Sequence, residues 1–286
     1  MTSKQIAERT FSFELFPPKT DHGVAKLRDA VSALNARHPA FFSVTYGAGG
    51  STQSNTFATV DWIKGQGIEV APHLSCIGSK RHEIIDILSR YAAQGITRIV
   101  ALRGDLPSGA GAGSMGELNH ADELVALVRD RFGQGFHIEV AAYPEMHPQA
   151  LSFERDLDNF KRKVDAGADS AITQYFYNAD AYESFSDACV RRGIDIPIVP
   201  GIMPITNFSN LVRFSDACGA EIPRWLRKRL ESYGDDVAAI RALGAEVVSK
   251  MCERLLDMGA PGLHFYTMNQ ADPTLVIWDN LGLGSL

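Results

Sequence analysis

The chain's chemistry-bearing residues stand in a few short runs. Glu14 lies among Phe11, Phe13, Leu15 and Phe16, where an unpaired carboxylate is costly unless it is neutralised or partnered. Two readings fit it: a structural ion pair with a Lys or Arg, or a carboxyl whose burial favours the protonated form and which acts as a general acid. His73, between Pro72 and Leu74, is either a satisfied core histidine or a site group. Arg103-Gly104-Asp105 offers an arginine for a phosphate and an aspartate aimed at a ring nitrogen, or else the two charges pair with each other. Lys161, Arg162 and Lys163 form a basic run that is either a solvated helix face or a hold for a diphosphate.

These residues need elements to position them, and the apolar pattern supplies a count. β-rich runs occur at 10–16, 40–47, 68–76, 97–104, 137–144, 170–176, 196–204 and 262–269. Between them apolar residues recur at helical spacing, as at 24–36, 81–95, 118–132, 153–167, 181–193 and 237–260. Eight strands alternating with helices predict a parallel α/β fold, and eight is the number that closes a (β/α)₈ TIM barrel. A doubly wound open sheet is the alternative. In a barrel, ligands bind at the C-terminal strand ends. That rule gathers Glu14, Thr45, Tyr46, Ala48, His73, Arg103, Asp105, Tyr143, His147, Gln174, Tyr266 and Asn269 onto one rim, with Asn207 and Phe208 in the loop after the seventh strand.

Composition narrows the function. The net charge of −6 lacks the dominant basic face that nucleic acid or an anionic membrane requires. No apolar stretch approaches the roughly 20 residues of a membrane span, and the N-terminal residues show no apolar core of a signal peptide. A soluble, cytoplasmic protein is expected. Cys76, Cys189, Cys218 and Cys252 form no CxxC pair and read as scattered reduced thiols; no metal site is expected. Gly111-x-Gly113-x-x-Gly116 matches the spacing of a dinucleotide fingerprint. Leu106-Pro107-Ser108 intervene after the fourth strand run, and the stretch is small-residue-rich throughout, so it reads as a flexible rim loop.

With those residues in place, the chain resembles the bacterial methylenetetrahydrofolate reductase family. The matching runs are FSFELFPPKT, FFSVTYGAGG, APHLSC, IVALRGDLP, VAAYPEMHPQA, FKRKVDAGAD, AITQYF, PGIMPITNF and HFYTMN, in that order over about 260 residues. The resemblance implies a single barrel domain over 1–286 that binds FAD, takes hydride from NADH or NADPH, reduces 5,10-methylenetetrahydrofolate to 5-methyltetrahydrofolate, and forms a homo-oligomer. It implies Glu14 as the general acid and Asp105 as a carboxylate beside flavin and pterin. Flavin contacts are implied for Tyr46, Ala48, His73, Arg103, Gly104, Ala121, Tyr143, His147, Ala150, Asp156, Asn159, Arg162 and Lys163. Thr45 matches a nicotinamide-nucleotide position, Gln174 one shared by pterin and nicotinamide, and Phe208 the aromatic that stacks on the substrate.

Two departures stand out. Where enteric members carry Arg for the folate glutamate tail, this chain has Gln270, and a neutral amide lacks the bidentate carboxylate grip. The loop Ser108–Asn119 is Gly/Ala-rich and looks longer than usual, which bears on its contacts to the adenosine half of FAD. No appended regulatory domain is expected.

Overall fold

The computed structural model describes residues 9–46, 50–104 and 116–284; Ala48 and Asp105 of the expected site lie outside them. Strand and helix alternate as β1 (Thr10–Leu15), α1 (Asp21–Asn35), β2 (Phe41–Val44), α2 (Gly50–Gly65), β3 (Val70–Ser75), α3 (Arg81–Ala93), β4 (Arg98–Leu102) and α4 (Ala121–Phe132). There follow β5 (His137–Ala142), α5 (Phe153–Asp165), β6 (Ser170–Thr173), α6 (Ala179–Arg191), β7 (Ile198–Val199), β8 (Gly201–Ile202), α7 (Phe208–Cys218), α8 (Arg224–Ser232), α9 (Val237–Asp257), β9 (Gly262–Tyr266) and α10 (Ala271–Asn280).

Every strand pairs in parallel, in the order β7-β6-β5-β4-β3-β2-β1-β9-β8. The seventh predicted strand is present as two short halves, one against β6 and the other against β9. Pro200 separates them because it has no N–H to give the ladder. Its carbonyl still accepts from His264 N–H at 3.0 Å. Gly201 turns its N–H to the Thr173 hydroxyl at 2.9 Å. A Cβ at Gly201 would come within 2.2 Å of the Thr173 carbonyl oxygen, so only glycine fits. The two halves make one bent stave, and the sheet closes as a TIM-like barrel.

Period-two alternation decides which side chains enter the barrel. On β1, Phe11 and Phe13 face the helix layer and pack on the indole of Trp278 in α10, at ring separations of 5.1 and 5.8 Å. Ser12 and Glu14 therefore face inward. Phe41, Ala71, Val100 and Ile172 form a small apolar plug inside the barrel. Beneath it, toward the N-terminal strand ends, Arg98 pairs with the buried Glu139 and lies over the Phe41 ring at 4.6 Å.

The helix ends follow local chemistry. Ser152 and Asn178 cap α5 and α6 by accepting from amides of the first turn. Phe208, expected in a loop, is the first residue of α7, because the Asn207 side chain caps that helix from Asn210 N–H. Among the described residues no helix is long and apolar enough to cross a membrane.

Candidate functional site

The C-terminal strand ends open into two joined cavities. The first, about 560 Å³, sits directly over the apolar plug and is lined by Glu14, Thr45, Tyr46, His73, Gln174 and Tyr266, among others. The second, about 720 Å³, runs outward over the start of α4 and along α5; Arg103, Ala121, His147, Ala150, Asp156, Asn159, Arg162 and Lys163 line it. Leu102, Gly104, Ala141, Tyr143, Gln174, Tyr175, Met203 and Met268 border both, so the two are lobes of one cleft. Of the expected residues that are described, four stand apart: Asn207, Phe208, Asn269 and Gln270 border neither lobe. Phe208 is half-buried against the core, and Gln270 caps α10, its N–H donating to the Thr267 carbonyl.

Glu14 faces the first lobe from the end of β1. Its Oε2 lies 3.4 Å from His73 Nε2 and 3.8 Å from His264 Nε2. Among the described residues no Lys or Arg pairs with Glu14; two imidazoles flank the carboxylate instead. His264 is fully buried. Its Nδ1 is 2.7 Å from the Ser12 hydroxyl and its Nε2 is 3.4 Å from that of Ser43. Sequence reasoning missed His264, although its signal was available: it stands two residues before Tyr266 and so shares its strand face. His73 Nε2 is buried and, among the described residues, has no hydrogen-bond partner. Burial holds the His73 imidazole below its ordinary range; the Glu14 charge opposes this and His264 adds to it. At neutral pH His73 is thus a neutral ring with a nitrogen to offer.

The backbone around Glu14 is tied to the opposite side of the barrel seam. The Thr267 hydroxyl donates to the Glu14 carbonyl at 2.6 Å. Asn269 accepts from Phe16 N–H at 3.0 Å and donates to the Phe16 carbonyl at 2.8 Å. Met268 and Asn269 both adopt positive φ, 51° and 54°, a conformation that costs energy in residues with a side chain and that recurs at binding sites.

Gly104 marks the junction of the lobes. Its φ is +85°, and a Cβ there would overlap the Ser75 hydroxyl at 1.7 Å. That hydroxyl donates to the Arg103 carbonyl at 2.8 Å, while the Arg103 guanidinium reaches Gln149 Oε1 at 2.7 Å. Farther out, Lys163 donates to the Ala141 carbonyl. Burial pushes its ammonium down to about 8, against the pull of Asp156 and Asp122. Asp156 accepts from His147 N–H at 2.8 Å, and the His147 ring meets Tyr143 edge-on at 4.6 Å. The first lobe is thus aromatic and imidazole-lined, whereas the second carries cations and the amide-bearing start of α4.

A parallel barrel with an inward carboxylate at its C-terminal rim, opening into a long cleft, defines a ligand-binding barrel of the enzyme type. The family model described as methylenetetrahydrofolate reductase matches residues 2–282. The 5,10-methylenetetrahydrofolate reductase of Escherichia coli K12 is 41% identical over 273 residues, covering 95% of this chain and 90% of that one. Methylenetetrahydrofolate reductase (NADH) 1 of Arabidopsis thaliana is 38% identical over 295 residues, covering 98% of this chain and 50% of that one. The chain belongs to the methylenetetrahydrofolate reductase family, which makes it an oxidoreductase of folate metabolism. A solved Clostridium thermocellum protein, described as binding two copies of 5-methyl-5,6,7,8-tetrahydrofolic acid, shares the fold with a TM-score of 0.67 at 16% identity, over 96% of this chain and 95% of that one.

Proposed function

We propose that this chain reduces 5,10-methylenetetrahydrofolate to 5-methyltetrahydrofolate with NADH or NADPH as reductant and Glu14 as general acid. The observation that carries the reading is the Glu14 carboxylate itself, turned into a ligand-sized lobe and met by two imidazoles rather than a cation. A carboxyl so placed holds a proton at Oε2 for an amine nitrogen that leaves as the substrate's five-membered ring opens. Ser12 and Ser43 fix the His264 ring on one side of Glu14, and His73 stands on the other, so the carboxyl has little freedom to turn away.

The resemblance also implies FAD, and the cleft suits it. The second lobe is long, carries Arg103, Arg162 and Lys163 for a diphosphate, and meets the first lobe at Gly104, where the backbone permits close approach. The unpartnered Nε2 of His73 is a buried polar atom that a ring heteroatom would satisfy. When bound, the flavin would accept hydride from the nicotinamide donor and pass it to the folate in two separate half-reactions. Thr45, on the first lobe, is then a group for the nicotinamide nucleotide and Gln174 one that receives nicotinamide and pterin in turn, and the resemblance assigns Asp105 to flavin and pterin. Phe208 and Gln270 are proposed to reach the bound folate from outside the lobes. Association into a homo-oligomer in the cytoplasm belongs to the same reading.

An absorbance spectrum of the purified protein, followed by NAD(P)H with and without the folate, tests the scheme. A flavin spectrum, bleached by NAD(P)H and restored by the folate, is expected. A colourless protein that still turns over would replace the flavin scheme with direct hydride transfer, and a yellow one without turnover would leave only a binding protein. Replacing Glu14 with Gln should spare bleaching and block restoration; loss of both steps together would make Glu14 structural.

A further inference from the structure

The second lobe is walled on one side by α7 and on another by the loop between β5 and α5. Phe214, Ala217 and Cys218 line it from α7, and His147 and Gln149 line it from the loop. The two walls touch just beyond the end of α7. Gly219 closes that helix with φ +76°, and a Cβ there would press on Pro148 Cγ at 2.9 Å. Two residues later, Glu221 N–H donates to Glu145 Oε2 at 2.8 Å.

Glu145 is thus half-buried between loop and helix, and the loop needs it. Its neighbour Met146 has φ +76°, a conformation that persists in a residue with a side chain only when surrounding contacts impose it. On the far side, His147 N–H is already committed to Asp156. We propose that Glu145 is a positioning residue for the second lobe, its carboxyl group tying the β5–α5 loop to the turn after α7 and so fixing the separation of the two walls. Neither the fold nor the reaction chemistry calls for a carboxylate here; the close pairing with the Glu221 amide does. The proposal rests on the functional reading above only for the identity of what fills the lobe.

The tie is sensitive to pH. Burial disfavours the charged form of Glu145. The hydrogen bond from Glu221 N–H offsets burial only in part, and the Glu221 carboxylate adds a smaller repulsion, which leaves the Glu145 carboxyl at about 7. The Tyr175 hydroxyl, facing from the end of β6, lies within electrostatic range and brings no positive charge. With the folded value raised, the stabilising contribution is complete below the unfolded value of about 4.3 and is lost as pH rises through about 7. Above that point the ionised group gains by moving toward water, and the tie loosens.

Hydrogen exchange of the whole protein as purified, corrected for intrinsic rates and followed by mass spectrometry, reads this directly. In wild type, protection of segments 145–150 and 219–223 should drop on going from about pH 6 to about pH 8. Glu145→Ala should show roughly ten-fold faster exchange in both segments at either pH, the worth of about one hydrogen bond. Glu145→Gln keeps an acceptor and cannot ionise, so both segments should stay protected across that range. Glu221→Gln should shift the wild-type transition to lower pH. Unchanged exchange in Glu145→Ala, or a wild-type pH response in Glu145→Gln, would overturn the proposal. Should the alanine variant fail to fold, the glutamine variant decides alone. Absence of flavin from the purified protein would sink the cofactor reading and leave these exchange results standing.

Discussion

Two glutamates enter the same barrel from opposite ends, and their surroundings could hardly differ more. Glu139, near the N-terminal strand ends, is 2% exposed and fully engaged. Arg98 pairs with it, the Ser170 hydroxyl donates to it at 2.6 Å, and His137 lies 3.3 Å away. Burial alone would raise its carboxyl; the His137 and Ser170 hydrogen bonds and the Arg98 charge pull it below the usual carboxylate range. Glu14, at the C-terminal ends, opens onto a cavity and, among the described residues, is flanked by imidazoles and no cation, at distances longer than a good hydrogen bond. A carboxylate with both oxygens engaged holds a fold together. One left under-satisfied at a cavity wall can meet a ligand, and this contrast, rather than the shared residue type, separates structure from chemistry.

The comparison can be broken by experiment, starting with the largest effect. Glu14→Gln should slow folate reduction by about 10²–10⁴-fold, the usual worth of a general acid, with little change in melting temperature. A stability loss comparable to that of a Glu139 variant would erase the distinction between the two residues. Glu139→Ala should behave in the opposite way. It leaves Arg98 and His137 without their carboxylate and should cost about 3–5 kcal/mol in chemical denaturation, while the folded fraction keeps its turnover number.

The same pair makes a pH prediction. Because the folded Glu139 carboxyl lies below its unfolded value, its stabilisation is complete above about pH 4.3 and is lost as pH falls through the lower, folded value. The stability gap between wild type and Glu139→Gln should therefore shrink in acid, and a gap that held constant with pH would exclude the charge as its source. Next in size, Gly104→Ala places a Cβ on the Ser75 hydroxyl in a left-handed backbone. A loss of about 1–3 kcal/mol is expected, together with weakened retention of the proposed flavin, measured by equilibrium dialysis. The smallest effect belongs to Asn269→Ala, which removes both hydrogen bonds to Phe16. It should cost about 1–2 kcal/mol in stability and slow folate reduction more than flavin reduction, since it loosens the backbone that carries Glu14.

Much of this was legible in order along the chain. The strand-end rule and the family resemblance together named fourteen expected flavin, nicotinamide and pterin positions that line the cleft the structure describes, from Thr45 and Tyr46 through Lys163 to Gln174. The acidic candidate on β1 was legible for the same reason, since alternation sets Glu14 against Phe13 and Leu15. Three features were not. His264 reads as one more residue in a buried strand until its ring is seen between Ser12, Ser43 and Glu14, which lie up to 252 positions away. The break at Pro200 is a local fact, but its consequence, a stave shared between β6 and β9, depends on barrel closure. Glu145 shows no pattern at all, because its partner is a backbone amide 76 residues on.

Sequence alone determined most element types, which residues of β1 share a face, and the rim to which the polar residues belong, because period and turn chemistry are local. It also left Glu14 with two roles open. Only tertiary structure decided between a cation and two histidines as its neighbours, joined two cavities into one cleft, and tied the wall of that cleft through Glu145. Those outcomes depend on which distant strands and loops are brought within a few ångströms of each other, and burial and hydrogen bonding act only at that range.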